Sequence, residues 1–208
     1  MIPRYQKILF FFLLVSSLVM GIMLWQLRDR AHQRRLAGEE SAPTKAPEVA
    51  PSEPATLLVA NDYDGSILAQ ARSLPLPSDP EARARVLLGK LLDLYAEPGS
   101  NHPVPGGAAG IAQVYLLPAG DASDPQHPAG ETAVVNFTGS FAAGHPSGLE
   151  TETLTLLSIC GTLRANLPSV ARVRFLVDGQ SRATLAGHAD LTRTYLTANA
   201  VPTEGNNP

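Results

Sequence analysis

The chain has 208 residues, 44% of them hydrophobic, and a net charge of −3. The charge is unevenly placed: the first 35 positions hold six basic residues and one acid, and the remainder holds 10 basic and 18 acidic residues. A short basic end on an acidic body is the pattern of a membrane junction, and no basic stripe with interleaved aromatics follows residue 35, which excludes a nucleic-acid partner. The single cysteine, Cys160, excludes an internal disulfide framework and a cysteine-based zinc site.

After a flank at 1–7, no charged residue occurs between Lys7 and Arg28. As a helix, residues 8–27 would reach about 30 Å, the thickness of a bilayer's hydrocarbon core, with Trp25 at the interface. The stretch is longer than the roughly 7–15 apolar residues of a signal peptide, and no small-residue cleavage pattern follows it. A retained transmembrane helix is the expectation. The basic residues on its two sides nearly balance, so charge does not set its orientation. Residues 28–55 are basic and then proline-rich, with Pro43, Pro47, Pro51 and Pro54. Such a linker is expected to be extended and semi-stiff. Residues 193–208, polar from Thr197 onward, read as a disordered tail. One domain is left, at 56–192.

Within it, residues 56–60 and 66–74 read as strands around an Asn61-Asp62-Asp64-Gly65 turn. Ser78-Asp79-Pro80-Glu81 has the form of a capping box, and Val86, Leu87, Leu91, Leu94 and Tyr95 recur behind it at helical spacing. The Gly/Pro-rich stretch 103–110 lacks the Gly-Lys-Ser/Thr of a phosphate loop and reads as an ordinary loop. Residues 111–117 and 132–137 are predicted strands joined by a polar loop. A second capping box, Ser147 to Glu150, opens a helix whose stripe runs through Leu149, Thr153, Leu156, Cys160, Leu163 and Leu167. A strand at 170–177, the turn pair Asp178-Gly179 and a return strand at 182–185 complete the pattern. The order helix, strand, strand, helix, strand predicts an α+β fold, with two helices on one face of a mixed or antiparallel sheet.

Several of these pieces together resemble a known family. Val135-Asn136-Phe137-Thr138 matches its strand of valine, Asp/Asn, a hydrophobe and Ser/Thr. Ser147 and Glu150 open the next helix, Thr162-Leu163 falls late in it, and Val170 and Val173 lead into Val177-Asp178-Gly179. Gly187-His188 and Asp190-Leu191 are similar to its closing segment, and the helix from Ser78 and the loop through Pro105 and Gly106 fit upstream. In these features the chain resembles the GerMN domains of sporulation and spore-germination proteins. The resemblance implies an extracytoplasmic domain, tethered by a lipid or an N-terminal helix, with the αββαβ topology of ring-building motifs that assemble side by side. It implies no enzymatic activity and no cofactor. The chain departs from the family in carrying one copy, in lacking a lipid-anchor cysteine, and in having Gly139-Ser140 where an acidic residue is common.

The chemical candidates have plainer readings. His188 and Asp190 could join Ser181 or Ser158 in a hydrolase set, but no nucleophile-elbow pattern holds either serine, and His188 reads as a turn residue. His102, His127 and His145 each neighbour a proline in a predicted loop; metal binding would need two of them to converge with a carboxylate. Cys160, on the apolar stripe, reads as a small buried hydrophobe. Asn136-Phe137-Thr138 matches a glycosylation acceptor but lies in a strand expected to be buried. No residue is assigned a catalytic, cofactor-binding or metal-binding role. The residues expected to matter are structural: Val135, Phe137, Leu156, Leu163, Val173 and Phe175 in the core, and Asp178 and Gly179 in the turn. The reading is a membrane-anchored, extracytoplasmic, non-enzymatic binding or assembly module of the cell envelope, with a protein partner or its own copies. The rival is an envelope hydrolase or a cell-wall-ligand-binding accessory protein.

Overall fold

The computed structural model describes residues 13–18, 20, 23, 52–118 and 130–200. The chain divides into two units, Met1–Glu48 and Val49–Pro208. In the first, residues 13–18, 20 and 23 are helical and exposed. The rest of the expected 8–27 span and residues 28–51 of the expected linker lie outside the described residues. Among the described residues no helix is long and apolar enough to cross a membrane.

The second unit opens with an antiparallel hairpin, β1 (Ser52–Asn61) and β2 (Ser66–Pro75). Its turn is held by the short acceptors the sequence supplies: Asn61 Oδ1 accepts from the Tyr63 N–H at 3.2 Å and Asp64 Oδ1 from the Ser66 N–H at 3.0 Å. β1 begins four residues inside the stretch read as linker, because Ser52–Ala55 pair with Pro75–Arg72 and Ala55 is buried.

Helix α1 (Pro80–Ala96) follows, with Pro80 in its first turn, where a missing N–H costs nothing. Its cap is Asp79, not Ser78: the Asp79 carboxylate accepts from the Ala82 N–H at 2.8 Å. Glu81, expected to complete a capping box, instead accepts from the Leu116 N–H at 2.9 Å and so caps part of the outer edge of the neighbouring sheet. The Gly/Pro-rich loop ends in a short 3-10 helix, Gly107–Gly110, pinned to α1 by the Ala108 N–H donating to Asp93 Oδ1 at 2.8 Å.

Strands β3 (Ile111–Leu117), β4 (Glu131–Phe137) and β5 (Val170–Val177) form the second sheet, antiparallel between β3 and β4 and parallel between β4 and β5. The β4–β5 crossover carries a short helix the sequence did not signal, α2 (Gly139–Gly144, capped by Thr138), and the long helix α3 (Leu149–Asn166). The expected single sheet is therefore two sheets, and α3 touches both β1 and β5. Gly161 permits this closeness: a Cβ there would lie 2.3 Å from a Leu58 methyl and 2.7 Å from the Ala200 carbonyl oxygen.

Three other expectations change. The expected return strand at 182–185 is absent; only the bridges Val177↔Gln180 and Thr184↔Asp190 form, and β6 (Tyr195–Leu196) lies beside β5 instead. Residues 193–200, expected in a disordered tail, include β6 and a 3-10 helix, Thr197–Ala200, tied down by the Thr197 hydroxyl donating to the Val170 carbonyl at 2.9 Å. Residues 201–208 lie outside the described residues. The second capping box also fails: the α3 cap position is Gly148, with no side-chain cap, and Glu152 reaches back to the Gly148 N–H at 3.1 Å.

The core matches the sequence closely. Val135, Phe137, Leu156, Leu163 and Val173 are fully buried and Phe175 is 1% exposed. Phe137 stacks on Phe141 and Phe175, and Tyr195 meets Phe175 edge-on. The turn after β5 has Asp178 and Gly179 both at positive φ, 50° and 74°, the backbone that an Asp-Gly pair tolerates best. The α3 stripe is only partly as expected: Leu156, Cys160 and Leu163 are buried, but Leu149 is 65% exposed and Leu167 is half-buried.

Candidate functional site

The chemistry-bearing residues of the described structure gather around the first half of α3. Packed on two sides, α3 buries polar side chains as well as its apolar stripe: Glu152, Thr155, Ser158 and Thr162 are all fully buried. Each must find a partner inside the protein.

Glu152 anchors a loop. Its carboxylate accepts from the backbone N–H groups of Ala186, His188 and Ala189 at 3.0, 3.0 and 2.8 Å, and from Gly148 at 3.1 Å. Burial alone would push this carboxyl up; the four N–H donors overcome it and bring it down from 4.5 to about 2. The same bonds hold the 186–189 segment on α3, directly after the positions where the return strand was expected.

His188 is half-exposed and reaches Glu152 Oε1 at 3.1 Å and Ser147 Oγ at 3.3 Å, both through Nδ1. Serine, histidine and carboxylate therefore meet, though the serine is neither Ser181 nor Ser158. The arrangement is not a nucleophilic triad. A triad places the serine on one ring nitrogen and the carboxylate on the other, so that the ring can carry a proton between them. Here both partners compete for one nitrogen, and Glu152 is already occupied by four backbone donors. Ser158 donates to the Thr155 carbonyl at 2.8 Å, and Asp190 accepts from the Thr192 N–H and hydroxyl.

The loop histidines converge, with a different outcome from the metal site weighed above. His102 Nε2 and His145 Nε2 lie 2.7 and 2.8 Å from one hydroxyl, Thr155 Oγ1. The outer nitrogen of His102 meets Asp62 Oδ1 at 2.5 Å, and that of His145 meets the Pro146 carbonyl at 2.8 Å. The hydroxyl fills the position between the two rings, and Asp62 is on the far side of His102. No group of three His, Cys, Asp or Glu side chains suited to a metal is found among the described residues. His127 lies outside them. Tyr95 packs edge-on against His102 and accepts from the Ala60 N–H at 3.0 Å.

Cys160 is fully buried, and burial pushes its thiol up, away from the thiolate a nucleophile needs. Asn136 is buried, which removes it as a glycosylation acceptor in the folded chain, and its Oδ1 accepts from the Gly179 N–H at 2.8 Å.

The hairpin carries a different kind of site. In β1, the N–H groups of Thr56, Leu58 and Ala60 point away from β2 and are met by Asn166 Oδ1, Thr162 Oγ1 and the Tyr95 hydroxyl at 3.0, 2.9 and 3.0 Å. Their partners across the hairpin, Ala71, Ala69 and Ile67, must then point their own N–H and C=O groups outward. Among the described residues these groups of β2 have no partner, so β2 presents an open strand edge.

A family model described as "Germane: Sporulation and spore germination" matches residues 59–183. No curated protein matches the chain. Among solved structures, the chain is 17% identical to the tandem GerMN domains of the sporulation protein GerM from Bacillus subtilis, covering 76% of this chain and 51% of that one, at a TM-score of 0.43. It thus spans about half the length of that tandem pair. A putative lipoprotein from Clostridium perfringens is 18% identical, covering 78% of this chain and 100% of that one, at 0.35. The first GerMN domain of GerM alone is 16% identical, covering 67% and 93%, at 0.36. With its model matched over more than half of the sequence, from the last residues of β1 to just past the turn after β5, the chain belongs to the Germane family of sporulation and spore germination.

Proposed function

We propose that the domain is a non-catalytic binding or assembly module of the cell envelope, held outside the cytoplasm by residues 8–27 acting as a membrane anchor. The observation that carries this reading is the contrast between strand edges. Side chains close the outer edge of β1, and Glu81 caps part of the edge of β3, yet the edge of β2 is left open. Open edges invite pairing, and folded proteins usually blunt them. The titratable groups that could have served chemistry support the same reading, since Glu152, His102, His145 and Asp62 bond to one another or to loop backbone.

The test is crosslinking of the full-length chain in its membranes, beside the variant Ala69→Pro. That substitution deletes an N–H pointing away from β1, so the hairpin should persist while the edge is blocked. A specific crosslinked product, homo-oligomeric or with another envelope protein, that disappears in Ala69→Pro supports the proposal. Hydrolysis of purified wall material that is lost in folded His188→Ala would overturn it in favour of the enzyme.

A further inference from the structure

The buried chain of groups Asp62, His102, Thr155, His145 and Pro146 has a hydrogen count that does not close with neutral rings. Its two ends only accept: the Asp62 carboxylate and the Pro146 carbonyl. Each end takes the Nδ1–H of the ring beside it. A neutral imidazole carries one N–H, so both Nε2 atoms must then be acceptors. Both face the Thr155 hydroxyl, which has one hydrogen, at 2.7 and 2.8 Å. The third neighbour of that hydroxyl, the Thr151 carbonyl oxygen at 3.1 Å, is another acceptor. With neutral rings, one Nε2 lone pair is left against a hydroxyl lone pair inside the protein.

One more proton resolves this. His102 Nε2–H then donates to Thr155 Oγ1, the hydroxyl donates to His145 Nε2, and His145 Nδ1–H donates to the Pro146 carbonyl. At the other end the short Asp62–His102 contact holds the remaining proton between carboxylate and ring. We infer that the folded domain binds one additional proton in this chain, and that the proton clasps together the β1–β2 turn, the loop after α1, the loop after α2, and α3. The proton belongs to the linked groups rather than to one residue.

The other groups facing the chain fit this assignment. Burial holds His145 below the ordinary 6.5, opposed by its bond to the Pro146 carbonyl, so His145 is the neutral ring. Burial pushes the Tyr95 phenol up to about 12, so the aromatic edge against His102 stays uncharged. Glu152, one turn before Thr155, remains a carboxylate and favours a positive charge nearby. A denatured chain near pH 8 has no such arrangement, so folding takes up the proton, and the folding constant falls about tenfold per pH unit where uptake is complete.

The decisive measurement is the imidazole ¹⁵N spectrum of the labelled full-length protein at pH 7.5, assigned with single histidine variants. The expected result is two protonated nitrogens on His102 and an Nδ1–H neutral ring for His145. Two neutral rings in the folded protein would overturn the inference. A second readout follows urea unfolding between pH 7 and 9. Stability should fall with pH in the parent and in Thr155→Ser, which keeps the hydroxyl, and should be flat in Thr155→Val, where the rings no longer share one hydrogen. Equal slopes in all three would also overturn it. If Thr155→Val does not fold, the ring spectrum of the parent decides alone.

Discussion

Replacing Glu152 should remove a buried charge that four backbone N–H groups stabilise. Holding a carboxyl at about 2 instead of 4.5 favours its charged form in the folded state by roughly 3 kcal/mol. Because the folded value is the lower one, this stabilisation is complete above pH 4.5 and is lost progressively as pH falls toward 2. Glu152→Gln keeps the shape but brings an NH₂ group against backbone N–H groups that already need acceptors. It should therefore cost about 2–3 kcal/mol at pH 7. The assay is urea unfolding of parent and variant at a series of pH values between 7 and 2. The gap between them should be constant down to about pH 5 and close as the parent's carboxyl takes up its proton. A gap of unchanged size at low pH would refute the account, since it would show that the gap does not come from the charge of Glu152. Local exchange should agree: in Glu152→Gln the amides of Ala186 and Ala189 should lose protection first, before the β4–β5 ladder.

The remaining predictions concern placement and packing. Alkaline phosphatase fused after Pro208 should be active and a cytoplasmic reporter dark; the reverse would sink both the proposed location and most of the functional reading. Leu163→Asp should cost several kcal/mol by burying an unpaired charge, whereas Arg164→Ala, at an exposed position, should stay within about 0.5 kcal/mol in denaturant unfolding. Thr162→Val should cost about 1–3 kcal/mol by leaving the Leu58 N–H unpaired, and Thr162→Ser should recover most of it; equal losses would point to packing instead of the hydrogen bond.

Much of the scaffold was legible because its signals are local. β5 carries branched and aromatic residues on alternate positions, and its bounds, Val170–Val177, coincide with those read from the sequence. The Asp178-Gly179 turn was legible for the same reason. The errors arose where a residue has two possible partners. Ser78 and Asp79 both stand before Pro80, and the carboxylate wins the cap. Glu81 and Glu150 fit a local capping pattern, but distant backbone claims Glu81, and Glu152 takes the role expected of Glu150. The path of the segment after the Asp178-Gly179 turn is a long-range effect too, since residues 186–189 are held by a carboxylate more than thirty positions earlier. The histidine chain was the least visible feature. His102 and His145 were noted separately, but Asp62 and Thr155 stand 40 and 53 positions from His102. A threonine and a glutamate off the apolar stripe of a central helix were the signal, and it has meaning only once both sides of that helix are known to be covered.

Helix α3 shows why those polar positions are the informative ones. Its leucines and Cys160 face surfaces that many apolar side chains of similar volume would fill. Four of its polar side chains are committed to backbone or loops outside the helix. Glu152 holds the 186–189 segment, Thr155 joins the two histidine loops, and Thr162 and Asn166 close the edge of β1. A helix covered on two sides can keep such groups only if every one is satisfied, because an unpaired buried donor costs more than the bond it replaces. The arrangement also fixes where pairing remains open. Sealing β1 along one side sets the hairpin register against α3, and the alternation of an antiparallel pair then turns Ile67, Ala69 and Ala71 outward on β2. The open edge proposed for assembly therefore follows from the same three hydrogen bonds that bury β1. A change at Thr162, Asn166 or Tyr95 should disturb association through β2 without touching that strand.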